Sequence, residues 1–561
     1  MKKLVTIALL AAMLLSCFAG CAMQKGEIEV AGEANVEEVA GEANVEEVNF
    51  ADKLKANIAK AKDSYNFDAD EVAVWTEGTS AADKTWFDAE ATEKSYTINT
   101  AEAFEGFRQL INDGKNFGGW TIKLGKNINF KGYTLDGITG IFAGEFNGQG
   151  YVICNYKLNA TKQKSFFPVI GDNTINKKDT GVPAVLQNFA LVGGVYTVTG
   201  SQVGSVATDM NNLVNVTNVY SDAVMSVPAD AEEAITKVCG IVGNMTSGGD
   251  KNFTNVEFAG SIDLSASTVE GMGAYSSGFC GAINGGSAKF KNCVVSGKIA
   301  ANADYVAGYI AYDSSVGKHT FDNCVNNAEI SGATYIAGFV GQTKKTSGGS
   351  VTITGCENNG KITGTKNVAG FIGQVGKAKT ASITACQNNA TVIGTDKVSS
   401  FVGSVASGAT STVENCTNSG AILGMAGYQV TAVGEDNKYD IRFVAAFDDA
   451  QAQAAGFVVS VYYKDADGKK AKVENVTVYA KMVYTSVKGT NAEGTEETYA
   501  ATNFGGTYLY TLVIEGVEAA YTIADKTLEV LVTPFIAENA ETVINGVQAQ
   551  YGEIVIEAPA E

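Results

Sequence analysis

The middle of the chain alternates short apolar stretches with glycine, asparagine, serine and threonine. Within these stretches apolar and polar residues also alternate one by one, as in residues 352–354 (Thr-Ile-Thr) and 382–384 (Ser-Ile-Thr). Such alternation over a few residues is typical of short, half-buried strands, whereas an amphipathic helix needs a period of about 3.6 residues over ten or more positions. The pattern therefore predicts an all-β body of short strands joined by turns.

An internal repeat organises this body from about residue 213 to residue 425. A Cys-x-Asn-Asn/Ser phrase opens four units, and a looser unit precedes them. The opening cysteines recur at nearly equal spacing and are Cys293, Cys324, Cys356, Cys386 and Cys416. A fixed period of about 30 residues indicates a solenoid. Three short strands in each period predict one coil of a parallel β-helix, with successive coils about 4.8 Å apart.

A second phrase, Gly-aromatic-apolar-Gly or a close variant, lies between the cysteines. It is centred on Phe279, Tyr309, Phe339, Phe371 and Phe401. Stacking the coils in register places like residues above one another, so we expect interior columns of cysteine, of Ile/Val and of Phe/Tyr. We also expect the asparagines of the cysteine phrase to adopt left-handed backbone at turns and to hydrogen-bond to their copies in the next coil.

Together the two phrases resemble the GLUG-motif repeat of bacterial surface proteins, over about residues 120–425. Residues 142–150 (Phe-Ala-Gly-Glu-Phe-Asn-Gly-Gln-Gly) resemble the phrase that often precedes such repeats. The resemblance implies a right-handed parallel β-helix over residues 120–425. It implies no particular activity, because one fold can carry many functions.

Residues 1–20 are expected to be an export signal, because two lysines precede an apolar run that is too short to span a membrane. Residues 18–21 (Phe-Ala-Gly-Cys) resemble a bacterial lipobox, which implies cleavage before Cys21 and acylation of that residue. Cys17 is a poorer second candidate, and ordinary cleavage near Ala22 is the alternative. Because several acyl chains anchor a protein stably, we expect an exported protein held by lipid at the bacterial cell membrane, facing outward.

Residues 21–49 predict an acidic flexible tether, because a tandem nonapeptide rich in Glu, Ala and Gly has too little apolar content to fold alone. Residues 50–119 predict an N-terminal cap region. Within it, the apolar stripe of residues 50–66 predicts a short helix, and residues 99–114 predict a clearer helix with Asn99 as its N-cap. We expect the second helix to cover the exposed core at the first coil.

The period ends near residue 425, and longer strands follow in residues 426–561. About seven such strands predict a C-terminal antiparallel β-sandwich. Residues 465–468 (Asp-Ala-Asp-Gly) hint at calcium, but a hairpin turn explains them without a metal. The sequence assigns no role to this module.

The net charge is −20, and the only two arginines are Arg108 and Arg442. Nucleic-acid binding needs a basic face, so no nucleic-acid partner is expected. One histidine and the absence of a Cys-x-x-Cys pair disfavour zinc, and the sequence predicts no other metal and no cofactor. Export permits disulfides, but one cysteine per coil at one position favours a column of free buried thiols.

The carboxylates of the repeat are scattered singly, and we expect them to be solvated. They are Asp304, Asp313, Asp322, Glu329, Glu357, Asp396 and Glu414. His319 is likewise expected at the surface, and its spacing gives no Ser-His-Asp arrangement. Polysaccharide hydrolases need paired carboxylates in a cleft, and lyases of this fold need Arg and Lys with acidic calcium ligands. The sequence therefore predicts no catalytic residue.

These observations favour a non-enzymatic surface lipoprotein that presents its β-helix and β-sandwich for adhesion or for binding of a glycan or protein. Two alternatives stay open. A polysaccharide-degrading β-helix enzyme would need a cleft with two or more carboxylates. A structural spacer would show neither a cleft nor an ordered aromatic patch, whereas exposed Tyr or Trp would suit sugar stacking.

Overall fold

The computed structural model describes residues 49–344, 348–420, 422–433, 438–447, 455–464, 470–472, 477–484, 486–490, 496–500, 508–518, 527–537, 543–545 and 549–554, with side chains as far as Gly424. The predicted signal, Cys21 and the tether as far as residue 48 lie outside the described residues. The candidate calcium turn at residues 465–468 lies outside them as well.

Two helices are described, α1 (Phe50–Lys62) and α2 (Ala101–Asn112). The strands before the regular units are β1 (Val72–Val74), β2 (Ser95–Ile98), β3 (Thr121–Leu124), β4 (Asn127–Asp136), β5 (Ile141–Phe142), β6 (Glu145–Ala160), β7 (Phe167–Ile170), β8 (Ala184–Val198), β9 (Val203–Gly204), β10 (Ala207–Asn211), β11 (Val214–Ser221), β12 (Val224–Ser226), β13 (Val238–Cys239), β14 (Val242–Thr246), β15 (Lys251–Phe258) and β16 (Ser261–Asp263).

The strands of the regular units are β17 (Cys280–Ile283), β18 (Ala288–Lys291), β19 (Val294–Val295), β20 (Lys298–Ala300), β21 (Val306–Ala307), β22 (Ile310–Asp313), β23 (Lys318–Asp322), β24 (Val325–Asn326), β25 (Glu329–Ser331), β26 (Thr334–Ala337), β27 (Val340–Thr343), β28 (Ser350–Thr354), β29 (Glu357–Asn358), β30 (Ile362–Thr363), β31 (Lys366–Ala369), β32 (Ile372–Val375), β33 (Thr380–Thr384), β34 (Gln387–Asn388), β35 (Val392–Ile393), β36 (Asp396–Ser399), β37 (Val402–Val405), β38 (Thr410–Glu414) and β39 (Thr417–Asn418).

The strands that follow the regular units are β40 (Ile422–Val433), β41 (Lys438–Phe447), β42 (Ala455–Lys464), β43 (Lys470–Lys472), β44 (Thr477–Tyr484), β45 (Ser486–Thr490), β46 (Glu496–Ala500), β47 (Tyr508–Glu518), β48 (Thr527–Ala537), β49 (Val543–Asn545) and β50 (Ala549–Ile554).

Successive coils pair through parallel strands. One parallel sheet has nine strands in the order β37-β32-β27-β22-β17-β14-β10-β7-β5. A second parallel run passes through β8, β11, β15, β18, β23, β28, β33 and β38. The predicted parallel solenoid is therefore confirmed. The expectation of three strands per coil was too low, because five segments, β22 to β26, make up one coil. Asn323, with φ of 51°, interrupts the run between β23 and β24.

Rings of the Gly-aromatic phrase form an interior column, as predicted. The rings of Phe279, Tyr309, Phe339 and Phe371 stack with successive centroids 4.9 Å apart, and all four side chains are fully buried. Such ring pairs contribute roughly 0.5–1.5 kcal/mol each beyond the area they bury. An aliphatic column runs beside them through β25, β30, β35 and β40.

The cysteines of the repeat also stack. The backbone N–H of Cys324 donates to Cys356 Sγ (3.2 Å), that of Cys356 to Cys386 Sγ (3.4 Å), and that of Cys386 to Cys416 Sγ (3.3 Å). Each of these three thiols therefore accepts a hydrogen bond from the backbone of the preceding coil. The predicted cysteine column is confirmed.

Asparagines of the cysteine phrase form a ladder along the solenoid. The Nδ2 atoms of Asn326, Asn358 and Asn388 each donate to the asparagine Oδ1 of the next coil, at a distance of 2.7 Å. The predicted bonding between copies is thus confirmed, but the predicted left-handed backbone was wrong. These asparagines lie in strands, and the positive φ falls one residue before each cysteine, at Asn292, Asn323, Gly355, Ala385 and Asn415.

Helix α2 begins one residue later than predicted. Thr100, with extended backbone, is the N-cap, and its Oγ1 accepts a hydrogen bond from the N–H of Ala103 (3.1 Å). The predicted cap at Asn99 was therefore wrong by one residue. A threonine hydroxyl satisfies one of the unpaired N–H groups of a first helical turn as asparagine does, so the two adjacent candidates could not be separated by residue type.

A fully buried arginine ties α2 to the first coils. Arg108 Nη1 pairs with Glu105 (2.7 Å), Nε donates to the carbonyl of Phe166 (3.0 Å), and Nη2 donates to the carbonyl of Asp136 (2.7 Å). Its guanidinium also lies over the Phe166 ring. These bonds satisfy a charge that burial would otherwise penalise.

Helix α1 lies against the outside of the early coils. Its Leu54 and Ala61 pack with Val152, Ala190 and Tyr220. The three solenoid residues lie on β6, β8 and β11, which pair in register. The helix therefore covers an outward-facing apolar column that the solenoid alone would leave exposed.

Strand β40 belongs to two kinds of sheet. Its first two residues, Ile422 and Leu423, pair in parallel with β35, and the rest of the strand pairs antiparallel with β41. Beyond it, the described strands pair antiparallel as β40-β41-β47-β44 and as β43-β42-β48-β49, with β50 also on β48.

Ala385 has φ of 53° at the position where neighbouring coils use asparagine or glycine. Left-handed backbone costs a residue with a Cβ roughly 1–2 kcal/mol, and asparagine tolerates it best. We expect Ala385→Asn to stabilise the protein by about 1 kcal/mol, measured as an upward shift of the thermal midpoint. Ala229→Asn is the control, because Ala229 is exposed and does not have a positive φ. It should give no gain in stability. An equal gain from both variants would contradict the backbone explanation.

Candidate ligand-binding surface

Three tyrosines from successive coils stack on the side of the solenoid. The ring centroids of Tyr275 and Tyr305 are 4.6 Å apart with planes at 3°, and those of Tyr305 and Tyr335 are 5.0 Å apart at 12°. The Tyr312 ring lies edge-on to the first two, 5.3 Å from each. All four side chains are partly exposed. We call these four residues the tyrosine ladder.

The backbone of the stacked tyrosines is unusual. Tyr275, Tyr305 and Tyr335 have φ of 62°, 62° and 65°, and the same column continues with Asn367 (54°) and Lys397 (55°). Bulky residues are rare in this region, whereas asparagine is common there. Backbone strain of this kind gathers at functional sites, because stability alone would select the less strained residue. The ladder therefore has tyrosines at three positions where backbone preference alone would favour asparagine or glycine.

A polar column continues from Tyr312 toward the later coils. Gln342, Gln374 and Ser404 follow it in register on the nine-stranded sheet. Gln342 Nε2 donates to Gln374 Oε1 (2.6 Å), and Gln374 Nε2 donates to Ser404 Oγ (3.1 Å). Ser404 Oγ in turn donates to Asn367 Oδ1 (2.6 Å). Gln342, Gln374 and Ser404 are half-buried, whereas Asn367 is buried, so the glutamine amides border the rings at the surface.

In the earlier coils the same column holds Ala282 next to Tyr312, and then Asn244 and Asp209. Asn244 Nδ2 donates to Asp209 Oδ1 (3.1 Å), and Gln202 Nε2 donates to Asp209 Oδ2 (2.7 Å). Burial raises the pKa of Asp209, although both amide hydrogen bonds act in the opposite direction. Tyr312 thus has Gln342 on one side in this column and, beyond Ala282, Asn244 and Asp209 on the other.

Two tyrosines of the ladder, Tyr275 and Tyr305, are held in the protonated form. Burial raises the pKa of Tyr305 to about 12, and the neighbouring Tyr275, Tyr335 and Asp304 act in the same direction. Burial also raises the pKa of Tyr275. In neutral and mildly basic solution the surface therefore offers uncharged rings with hydroxyl groups that can donate hydrogen bonds.

His319 and Asp313 are fully buried, so their predicted exposure was wrong. His319 Nε2 lies 3.2 Å from Asp313 Oδ1 and 2.9 Å from Ser315 Oγ. Lys379 Nζ lies 3.0 Å from Asp313 Oδ2. Burial alone would raise the pKa of Asp313, but His319 and Lys379 outweigh it and lower the pKa to about 2. Lys379, 66 residues away in sequence, gave no local signal of this pairing.

This Ser-His-Asp cluster does not activate its serine. His319 Nδ1 accepts the N–H of Ala288 (3.1 Å), so the proton of the neutral imidazole lies on Nε2. Nε2 therefore donates toward Ser315 and Asp313, and Ser315 Oγ donates to Asp313 Oδ1 (2.8 Å). A catalytic serine must instead donate its proton to the imidazole. The burial of all three side chains also keeps substrate away from them.

The other carboxylates named from the sequence do not gather into a site. Glu329, Glu357 and Glu414 are exposed, as expected, whereas Asp304, Asp322 and Asp396 are half-buried. The sequence missed a different pair, Asp222 and Glu257, which lies under Lys62 of α1. Burial raises the pKa of both carboxyls, and Lys62 opposes this effect. The two residues come from different coils, so only the register of β11 on β15 brings them near each other.

A cleft of about 390 Å³ lies along one side of α1, where residues of the helix and of the first coils line it together. Lys60 and Glu71 form an ion pair across it (2.6 Å), and Lys53 Nζ lies 3.3 Å from the centre of the Tyr151 ring. The remaining lining residues include Asp70 and Lys126. Its charges are thus mixed and already paired in part, which makes it a less distinctive binding surface than the ladder.

Within the described part of the chain, no group of three His, Cys, Asp or Glu side chains is arranged to hold a metal ion. None of the described helices has the length and apolar character needed to cross a membrane. No protein-family model, no curated protein and no solved structure matches the chain.

Glu257 provides a pH-dependent test of the carboxylate pair. Its pKa is raised in the folded protein, so stability is greatest below the unfolded pKa and falls as the pH rises through the folded pKa. We expect Glu257→Gln to raise the melting temperature at pH 7, with the gain shrinking toward zero near pH 4. Glu357→Gln is the control, because Glu357 occupies the same column but is exposed. A pH-independent gain would contradict this reasoning.

Proposed function

We propose that this chain is a non-enzymatic, lipid-anchored surface protein that binds glycans through the tyrosine ladder. The observation that carries the proposal is the stack of Tyr275, Tyr305 and Tyr335 in left-handed backbone. Three successive coils have a tyrosine at this column position. The next two coils have Asn367 and Lys397 at the same position.

The chemistry of the surface fits sugars. Aromatic rings contact the apolar C–H groups of a sugar, and the tyrosine hydroxyls and the bordering amides can exchange hydrogen bonds with sugar hydroxyls. Because the stacked rings cover one another's faces, a ligand meets their edges and hydroxyls and the outer faces of the stack. The net charge of −20 repels polyanions, so a neutral or amino-sugar glycan is favoured over an acidic one.

The ladder also weighs against the two alternatives. A structural spacer has no need for an ordered aromatic patch with strained backbone. A glycosidase needs two carboxylates on either side of a substrate in an open cleft. Here the Asp222 and Glu257 pair is packed under α1, and the Asp313 cluster is inside the solenoid.

The proposed architecture follows from the sequence features outside the described residues and from the fold. Cys21 carries the lipid, and the acidic segment to residue 49 spaces the body from the membrane. Helix α2 caps the first coil of a right-handed β-helix, and the antiparallel sheets after residue 426 form a β-sandwich. The parallel coils then hold the rings of the ladder in a fixed arrangement relative to one another.

The tyrosine ladder is tested by replacing its three stacked tyrosines with asparagine, the residue that Asn367 supplies at the same position of the next coil. The triple variant Tyr275→Asn, Tyr305→Asn and Tyr335→Asn keeps a side chain suited to the positive φ of this column and removes all three rings. In a glycan-array screen followed by calorimetry, we expect affinity to fall about tenfold or more, with an unchanged or higher melting temperature. Lys397→Asn is the matched control and should bind normally. Normal binding by the triple variant, or no glycan bound by the parent, would refute the proposal.

The anchor is tested independently. We expect Cys21→Ala to move the protein from the membrane fraction to the soluble extracellular fraction and to abolish incorporation of labelled fatty acid. Cys17→Ala should leave both properties unchanged. Loss of labelling in Cys17→Ala instead would move the lipid to Cys17.

A further inference from the structure

Lys379 and Asp313 meet inside the solenoid across an intervening coil. Lys379 Nζ lies 3.0 Å from Asp313 Oδ2, and each side chain is 1 % exposed. Asp313 ends β22, which pairs with β27, and β27 pairs with β32, after which the chain reaches Lys379. The lysine therefore spans one coil to reach the carboxyl group of the coil beyond.

The intervening coil leaves space for this approach at Gly349. A Cβ at that position would lie 2.7 Å from Lys379 Nζ, closer than non-bonded atoms allow. Gly349 also has φ of 89°, which favours glycine on backbone grounds. The absence of a side chain at Gly349 therefore leaves the space that the Lys379 amine occupies beside Asp313.

The two oxygens of Asp313 have different surroundings. Oδ2 faces the lysine, whereas Oδ1 receives the backbone N–H of Ser315 (2.8 Å), the Ser315 hydroxyl (2.8 Å) and the Nε2–H of His319 (3.2 Å). The N–H of Ala288 fixes the His319 proton on Nε2. Several donors on one carboxyl oxygen, with an amine beside the other, resemble the arrangement that stabilises a tetrahedral intermediate in acyl transfer.

We propose that Lys379 and Asp313 join through an intramolecular amide bond. One proton of the Lys379 ammonium first passes to Asp313 Oδ2; the free amine Nζ then attacks Asp313 Cγ, and the negative charge of the intermediate develops on Oδ1. The C–N bond forms and the bond from Cγ to Oδ2 breaks. A second proton of the original ammonium passes to Oδ2, which leaves as water, and the third stays on the amide nitrogen. An ammonium and a carboxylate contain every atom of the amide and the water, so the step needs no other reactant.

Position and burial both favour this step. The reacting groups are in contact without any substrate having to bind, which removes most of the entropic barrier of a two-body reaction. A buried ion pair pays a large desolvation penalty, whereas the product is a neutral amide and the released water joins the solvent. The reaction occurs once per chain, so a slow rate suffices.

Lys251 is a natural comparison. It is equally buried, but its Nζ donates to the backbone carbonyls of Thr246, Ser247, Gly249 and Gly285. Burial lowers the pKa of Lys251 to about 8. An amine does not attack a backbone amide carbonyl under these conditions. Burial of a lysine alone should therefore produce no cross-link at Lys251.

The bond can be detected in the purified full-length chain by tryptic peptide mapping after denaturation. Trypsin does not cleave after an acylated lysine, so residues 299–318 should be joined to residues 378–397 in one branched peptide lighter than its parts by one water. The two linear peptides, residues 299–318 and 380–397, should be depleted. Intact mass alone is insufficient, because succinimide formation at Asp136-Gly137 would also release one water.

Two variants complete the test. Lys379→Arg keeps a buried positive charge but removes the nucleophile, and residues 299–318 should return as a linear peptide. Lys251→Arg keeps the target pair intact and should retain the branched peptide. Recovery of only linear peptides from the parent chain would overturn the proposal, and so would an unchanged branched peptide in Lys379→Arg. Because the parent chain alone decides the main question, misfolding of a variant leaves the test valid.

Discussion

Parallel hydrogen bonding between successive coils is the interaction on which the rest of the structure depends. Strands such as β22, β27 and β32 pair residue for residue, so each side chain lies beside its own copies. Once the strands are paired, each column repeats a favourable contact at positions that the backbone pairing has already fixed. The ring column at Phe339, the amide ladder at Asn358 and the surface stack at Tyr305 are three results of this one register.

The repeat allowed the interior to be predicted because an interior column needs only matching residue types at matching positions. Cys356 and Phe371 are examples, and both lie in the expected columns. The turn geometry could not be predicted in the same way. Asn326 and Asn323 are both asparagines near a corner. Asn326 is held in extended backbone because its amide bonds to Asn358 inside the solenoid, so Asn323 is the one that takes positive φ.

The functional features were harder to predict, for two different reasons. Tyr275, Tyr305 and Tyr335 each stand three residues before the glycine of their phrase, so the sequence contained a signal for the stack but none for its backbone strain. The pairing of Asp313 with Lys379 had no such signal. It depends on an empty position at Gly349 in the coil between them, which is a property of the assembled solenoid.

The same register limits how such a chain can change over evolution. Four residues of sequence separate β32 from β33, whereas six separate β27 from β28. Units of different length thus keep the same paired strands. A single residue inserted within a strand would reverse the facing of every side chain after it, whereas duplication of a whole unit would extend all the columns together. Descendants of this gene are therefore expected to differ in length by whole coils or by loop residues.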